Sequence, residues 1–392
     1  MKYLFSTIVI VFVFTSCKDE TFGANTIDIE YAFNQAQEIL LSDFVKHIDY
    51  VILESENPIG GYVKVYSNGN YLICMMQSRT ERHIYLFDRQ TGALIREIGS
   101  YGRGPGEYSK SEYFDSETQH VIVSRLYEGL IEYDLNGKMT CSISAPKEYL
   151  WNRMFLDKST IVYYVMNTSG DVKERLLIAD ESGNVLKTFP NPYSFKSEGI
   201  IGINTVFYHH GGNTLFFENR VDTIYSVTKE ALIPHFHLNL GKYHPPYEKT
   251  GDFITPSTTR DPLVNQYFMF ERIGETNAFL FFDFEYKKPS ATVRSSFFGY
   301  YDKNKKTAKI ADVDNNNKRR IVNDIDHFDA LQLSSWWIDD RRNEMISYID
   351  AMDVAEWFEN NPQQAKELPE HLQKLSKLKS DDNPVVVIAK LK

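Results

Sequence analysis

Histidine is the residue type whose spacing in this sequence most directly suggests a metal site. His235 and His237 lie two positions apart in an apolar run, so in a strand both side chains would point to the same face. Imidazole is a common ligand of Zn²⁺, which usually takes three or four protein ligands. The sequence identifies no further ligand, and an exposed polar strand face would contain the same residues. We therefore keep His235 and His237 as candidate metal ligands and predict no cofactor.

A glycine-rich loop supplies the best candidate binding surface. It consists of Gly102, Arg103, Gly104, Pro105, Gly106, Glu107 and Tyr108. Glycine lets backbone N–H groups turn outward, and Arg103 and Glu107 add charge, so the loop could hold an anion or a sugar. The alternative is structural, because three glycines and a proline also suit a sharp crossing between two sheets. The loop lacks the Gly-Lys-Ser/Thr ending of a phosphate-binding loop.

The sequence nominates no catalytic residue. It contains no Gly-x-Ser-x-Gly nucleophile elbow. The pairs Tyr300-Tyr301 and Trp336-Trp337 could stack on sugar rings, although packing between sheets is the more common role of such residues. Only one ring of an adjacent pair can face inward on a strand.

The elements that would position these residues follow a repeat. Asp88, Asp134 and Asp180 are spaced 46 residues apart, and each ends an apolar run and begins a turn that contains glycine. Aspartate accepts hydrogen bonds from its own turn and glycine adopts positive φ, so each copy predicts a β-hairpin. A period of roughly 40 to 50 residues per four-stranded unit is typical of β-propeller blades.

Continuing the period gives six blades. The fourth copy is residues 222–228, the fifth includes 297–302, and the sixth begins near Ala330. Residues 44–53 precede the first full blade and are predicted to pair beside 385–391, which closes the ring. The predicted fold is therefore an all-β, six-bladed β-propeller over residues 41–392, with the N-terminal strand closing the last blade.

Two insertions interrupt the blades. In residues 354–379, Leu368, Leu372, Leu375 and Leu378 recur at steps of three and four, which predicts a helical insertion between two strands of the last blade. Residues 241–262 are rich in Pro, Thr and charge, and they are long enough for a recognition loop.

The N-terminus predicts export. Lys2 precedes an apolar run at residues 4–14 that is too short to span a bilayer, so residues 1–16 are predicted to be a signal peptide. Cys17 follows where a bacterial lipoprotein is acylated and cleaved. We predict lipidation at Cys17 and a polar tether over residues 17–40, with ordinary secretion as the alternative.

Several segments together resemble the six-bladed β-propeller lipoproteins of Bacteroidetes, which are distant in architecture from NHL and TolB-type propellers. These segments are residues 41–54, 98–108, 220–225 and 383–387. Lys-Asp-Glu at 18–20 is similar to the signal that sends such lipoproteins to the outer face of the outer membrane. The resemblance covers essentially the whole mature chain. It implies the fold and an outer-membrane lipoprotein exposed at the cell surface, or otherwise on the periplasmic face, and it implies little about activity.

Composition narrows the class of protein. The 392 residues carry a net charge of −10 without a basic stripe, which argues against nucleic-acid binding. Aromatic residues make up 14% of the chain, which suits sheets packed face to face. Cys74 and Cys141 are interpreted as two separate thiols, although a disulfide would be permitted in an exported protein.

The sequence favours a binding or scaffold protein over an enzyme. Its blade-connecting loops would present a surface to a glycan, a peptide or an envelope protein. The alternative is a propeller hydrolase or lyase with its site at the mouth of the central channel. An enzyme would bring titratable groups from several blades around one pocket with perturbed pKa values, whereas a binding module would show an aromatic or charged rim.

Overall fold

The chain forms a six-bladed β-propeller, as predicted. A computed structural model describes residues 25–125, 129–146, 150–197, 199, 202–253, 266–288, 293–331, 333 and 336–392. The predicted signal peptide and Cys17 lie outside the described residues.

The N-terminal segment precedes the blades. Its elements are β1 (Thr26–Asp28), α1 (Ile29–Asn34), β2 (Ile39–Leu40), a 3₁₀ turn (Leu41–Asp43) and β3 (Val45–Ile52).

The first three blades are antiparallel meanders of four strands each. Blade 1 contains β4 (Tyr62–Ser67), β5 (Tyr71–Gln77), β6 (Arg82–Asp88) and β7 (Leu94–Glu97). Blade 2 contains β8 (Lys110–Asp115), β9 (His120–Arg125), β10 (Gly129–Tyr133) and β11 (Met139–Ser144). Blade 3 contains β12 (Leu150–Asp157), β13 (Thr160–Val165), β14 (Glu174–Asp180) and β15 (Val185–Pro190).

The last three blades carry the additions. Blade 4 contains β16 (Thr205–His210), β17 (Asn213–Glu218), β18 (Thr223–Val227) and β19 (Leu232–Asn239), followed by 3₁₀ turns at Gly241–Tyr243 and Tyr247–Phe253. Blade 5 contains β20 (Met269–Glu275), β21 (Phe279–Tyr286), β22 (Ser295–Asp302) and β23 (Thr307–Ile310), followed by the short β24 (Ile321–Val322). Blade 6 contains β25 (Trp336–Asp339), β26 (Glu344–Ile349), β27 (Val385–Leu391) and β3.

The repeated aspartates act as predicted, each in the turn between the third and fourth strands of its blade. Asp88 Oδ1 accepts from the backbone N–H of Thr91 at 2.8 Å. Asp134 Oδ1 accepts from Lys138 N–H at 2.8 Å, and Asp180 Oδ1 accepts from Asn184 N–H at 2.9 Å. The repeat in the sequence is therefore a repeat of self-capped turns.

The ring closes where the sequence predicts. β3 is antiparallel to β27, with Val51 opposite Val386 and His47 opposite Lys390. This pairing makes the N-terminal strand the outermost strand of the last blade and covers the edge that β27 would otherwise expose.

The predicted polar tether is wrong for residues 26–40, which dock on the propeller. β1 pairs in parallel with β19 on the outer edge of blade 4, and β2 pairs in parallel with β24. Ile27, Ile29 and Ile39 are almost fully buried. The segment is polar on average, but these three apolar side chains are enough to dock it on the blades. We call residues 26–40 the strap.

The helical insertion lies between β26 and β27 as predicted, but it is not one helix. It consists of α2 (Ala351–Asn360), α3 (Gln364–Glu367), α4 (Glu370–Gln373) and a 3₁₀ turn (Lys374–Lys377). Pro362 and Pro369 fall at the breaks, because proline disfavours the helical conformation of the residue before it and lacks an N–H donor. Leu368, Leu372 and Leu375 are buried in the core of blade 6.

A buried carboxylate lies at several junctions between blades. Glu218 of blade 4 accepts from Arg175 Nε of blade 3 at 2.6 Å. Glu344 of blade 6 accepts from both terminal nitrogens of Arg89, at 2.9 and 3.0 Å. Since these groups are largely removed from water, losing either partner would leave an uncompensated buried charge.

Candidate ligand site in the central channel

The central channel contains a cavity of about 630 Å³. It is lined by the first strand of every blade, namely β4, β8, β12, β16, β20 and β25. Cations gather near the beginnings of these strands, and carboxylates with histidines gather near their ends. We call these regions the basic end and the acidic end.

Glu112 is the centre of the basic end. Its carboxylate, with only 6% of the side chain exposed, lies 2.8 Å from Lys110 Nζ and 3.1 Å from Arg153 Nη2. Ser124 Oγ donates to the same carboxylate at 2.7 Å. Lys64 Nζ instead donates to the backbone carbonyl of Glu112, at 3.2 Å. Three blades thus bring three cations to one glutamate, two at its carboxylate and one at its backbone carbonyl.

The pKa values of Glu112 and Lys64 are both lowered at this site. Burial opposes ionisation of Glu112, but the charges of Lys110 and Arg153 outweigh it and hold the pKa of this carboxyl below its usual range. Burial lowers the pKa of the Lys64 ammonium, and the charges of Lys110 and Arg272 lower it further against the attraction of Glu112. The Lys64 ammonium is therefore disfavoured mainly by burial, and Glu112 is the charge that most supports it.

Blade 5 adds a group at the basic end in which positive and negative charges largely cancel. Arg272 Nη1 lies 2.9 Å from the buried Asp283, and Arg319 Nη1 lies 3.2 Å from the other oxygen of the same carboxylate. Glu271 lies on the rim, where burial and the charge of Glu285 raise its pKa. The local excess of positive charge therefore lies on the side of Lys64 and Arg153.

The acidic end is built around Glu275, whose side chain is 1% exposed. Tyr208 Oη donates to Glu275 at 3.0 Å, Lys303 Nζ lies 2.6 Å away and His235 Nε2 lies 3.0 Å away. Burial opposes ionisation of Glu275, but the hydrogen bond and charge of His235, with those of Lys303, hold its pKa below the usual range.

Two adjacent histidines extend the acidic end. His210 lies between Glu275 and Asp340, with Nε2 3.7 Å from one carboxylate and Nδ1 3.4 Å from the other. Burial lowers the pKa of His209 against the charges of Asp115 and other nearby carboxylates. The channel therefore holds titratable groups from several blades at both ends.

The structure does not bring His235 and His237 to one site. His235 contacts Glu275 of blade 5, whereas His237 Nε2 lies 3.2 Å from Asp222 of its own blade. Within the part of the chain that the structure describes, no group of three or more His, Cys, Asp or Glu side chains is arranged to hold a metal ion.

The glycine-rich loop binds its own carboxylate. Glu107 folds back and accepts from Gly104 N–H at 2.6 Å, while Gly102 N–H donates to the carbonyl of Tyr108 at 2.9 Å. Tyr108 is fully buried and Arg103 is exposed. A Cβ on Gly102 would lie 2.0 Å from Glu107 Oε2. The glycines thus make room for the Glu107 side chain.

The cysteines and the adjacent tryptophans lie in or beside the packed blades. Cys74 and Cys141 are free thiols, and burial raises the pKa of each. Trp336 is 4% exposed in the core of blade 6, whereas its neighbour Trp337 is half-buried and lies with Tyr66 along the channel. The insertion at 241–262 is described as far as residue 253, and its remainder lies outside the described residues.

Sequence reasoning missed Lys64, Glu112 and Arg153. A signal was present, because Lys64 and Glu112 are 48 residues apart and Glu112 and Arg153 are 41 residues apart. Both separations are close to the blade period, so charged residues recur at similar depths in three successive inner strands.

The fold and channel define the class of protein as a six-bladed propeller with a charged cavity of ligand size. The chain belongs to the family described as a domain of unknown function, DUF4934, which it matches over residues 24–390. No curated protein matches it.

Two solved structures share the fold. One is a protein of Bacteroides fragilis NCTC 9343 whose export is inferred, with 16% identity and a TM-score of 0.64 over 88% of this chain and 95% of that one. The other is a member of the DUF4221 family from Bacteroides vulgatus ATCC 8482, with 11% identity and a TM-score of 0.50 over 89% of this chain and 97% of that one. At these identities the likeness shows the fold alone.

Proposed function

We propose that this protein is an extracytoplasmic binding lipoprotein that holds a ligand in its central channel. The observation that supports binding is the cavity of about 630 Å³ lined by all six blades. Its size is within the range of small-molecule sites, and its polar groups converge from separate elements, as ligand sites do.

The proposed location is the outer membrane, with Cys17 as the lipid anchor and the propeller exposed at the cell surface. The signal-like residues 1–16 support export, as does the inferred export of the Bacteroides fragilis neighbour. Among the described helices, none is long and apolar enough to cross a bilayer. Incorporation of labelled palmitate into the wild-type chain but not into Cys17→Ser would test the anchor.

A glycan is the ligand class that the channel favours over a peptide or an envelope protein. Tyr62, which is 50% exposed, and the half-buried Tyr348 line the basic end beside charged groups. Aromatic faces next to polar side chains suit the apolar faces and hydroxyl groups of sugars. A cavity of this volume is also too small for a folded partner to enter.

A thermal-shift screen against glycans and peptides tests binding, because a ligand of the native state raises apparent stability. Asn204 is exposed and lines the cavity, so Asn204→Trp should fill the basic end and abolish the shift. Ser182→Trp, on the exposed turn of blade 3, is the matched control and should retain it. Equal shifts in both variants would place the ligand outside the channel and contradict the proposal.

A hydrolase or lyase is the second candidate, and the acidic end is the observation that favours it. His209, His210, Glu275 and Asp340 supply titratable groups from three blades, and perturbed pKa values are common among acid and base catalysts. If a bound glycan is cleaved, turnover should be lost in Asp340→Asn. Binding without turnover would reject this candidate.

A further inference from the structure

We infer that the basic end of the channel selects a small carboxylated sugar, which is held through Lys64 and Arg153. This inference rests on the proposed binding function and specifies the class of ligand.

Charge is the first argument. The whole chain has a net charge of −10, yet Lys110 and Arg153 contact the carboxylate of Glu112 while Lys64 contacts its backbone carbonyl. Glu271 and Arg272, which line the same end, carry opposite charges that balance each other. The two carboxylate oxygens of Glu112 already accept hydrogen bonds from Lys110, Arg153 and Ser124. The basic end therefore has a net positive charge although the whole protein is acidic. The charge of one bound anion would be balanced there.

Hydrogen-bonding capacity is the second argument. Arg153 Nη2 contacts Glu112, while its Nε is buried and has no hydrogen-bond partner among the described residues. Lys64 Nζ donates to a backbone carbonyl and carries two further N–H groups. A guanidinium beside an ammonium matches a ligand carboxylate, because charge-assisted hydrogen bonds are the stronger kind.

The surroundings of Lys64 are the third argument for an anionic ligand. Burial is the main factor that disfavours its ammonium form, and the attraction of Glu112 works against the smaller repulsions of Lys110 and Arg272. A bound carboxylate would add a second favourable charge, so the free site should gain from an anion.

The remaining lining favours a sugar over an inorganic ion. The cavity of about 630 Å³ greatly exceeds the size of phosphate, and Tyr62 presents an exposed ring at the same end. Tyr66 lies deeper, and its buried hydroxyl has no partner among the described residues. A ring with hydroxyl groups and one carboxylate would use the aromatic face, the hydroxyl and the cations together.

Titration calorimetry of the purified protein tests the inference with D-galacturonate and D-glucuronate. D-galactose and D-glucose serve as neutral counterparts, acetate as a carboxylate without a ring, and inorganic phosphate as an anion without either. We expect binding of at least one uronate that weakens as salt rises, and weaker binding of the four comparison compounds.

Lys64→Met is the informative variant, because it removes a desolvated charge and keeps most of the side-chain volume. We expect its thermal midpoint to be retained or raised while uronate affinity falls by about tenfold or more. Arg153→Lys should lose part of the affinity. Lys187→Met, on the exposed face of β15, is the control and should bind as wild type does.

The outcomes separate this inference from the proposed function. A neutral sugar that binds, and that Asn204→Trp excludes, would keep channel binding and overturn selection of a carboxylate. Acetate or phosphate binding as tightly as the uronates would overturn selection of a sugar. Failure of both uronates to bind, or full affinity in Lys64→Met, would overturn the inference outright.

Discussion

Arg153 Nη2 and Glu112 Oε1 lie 3.1 Å apart across the junction of blades 2 and 3, at the wall of the central channel. Their side chains are 11% and 6% exposed. The pair therefore joins neighbouring blades, and both of its side chains also line the cavity.

Removing the carboxylate of this pair should destabilise the fold. We expect Glu112→Gln to lower the free energy of unfolding by about 3 kcal/mol, because Arg153 would remain buried without its counter-charge. Denaturant unfolding measures the change. Glu117→Gln is the control, because Glu117 pairs with Arg341 at an exposed site and should change little. Equal effects of the two substitutions would contradict the assignment of a buried pair.

Acidification should weaken the fold through His209. Burial lowers the pKa of this imidazole in the folded state, so below its ordinary pKa of about 6.5 the unfolded chain binds the proton more readily. Stability should therefore fall as the pH drops below about 6.5, and His209→Gln should flatten this dependence. His244, whose pKa burial also lowers, should keep part of it. The carboxylates Glu112 and Glu275 lose their contribution to stability only below about pH 4.3. The pH range of the histidine effect is therefore distinct from that of the carboxylates.

An unchanged pH dependence in His209→Gln would show that other groups dominate. Thermal melts of both proteins at matched ionic strength provide the comparison.

The strap should contribute measurable stability through Phe33. Its ring lies between 4.8 and 5.2 Å from the rings of Phe268, Tyr243, Tyr286 and Phe297. We expect Phe33→Ala to cost about 2 kcal/mol and to speed proteolysis within residues 26–40.

Tyr31 offers a control on the same helix, because 66% of it is exposed. Tyr31→Ala should leave unfolding and proteolysis nearly unchanged. If both substitutions were neutral, the strap would not be part of the cooperative fold.

The glycine-rich loop should behave as a coupled unit. Gly102→Ala should displace Glu107 from Gly104 N–H, and Glu107→Ala removes the same hydrogen bond, so each should cost about 1 kcal/mol. The double substitution should cost little more than Glu107→Ala alone. Chemical denaturation of the four proteins measures the cycle, and strict additivity would show that Gly102 and Glu107 act independently.

Local signals in the sequence were enough to predict the architecture. Asp88, Asp134 and Asp180 cap turns that need only neighbouring residues, and the strands on either side show their own apolar pattern. The closing strand was also predictable, because an unpaired run before blade 1 must cover an edge. Pro362 and Pro369 are also local signals, because each marks a break that the leucine spacing alone does not reveal.

The channel site could not be predicted in the same way, because it depends on contacts between blades. His235 and His237 do share a polar strand face, yet their partners, Glu275 and Asp222, come from other elements. Likewise, Lys64 and Arg153 come from blades 1 and 3, and only the closed ring brings both into contact with Glu112 of blade 2.

The pairing of β3 with β27 affects how the chain folds during its synthesis. The ribosome makes β3 before blade 1, whereas β27, which is seven residues long, follows only after β26. Until β27 has been made, the edge of β3 and the outer edge of β26 have no partner strand, and such long-range pairing forms slowly. A chain that stops before β27 would therefore be an open ring with two unpaired strand edges, which are prone to aggregation and proteolysis.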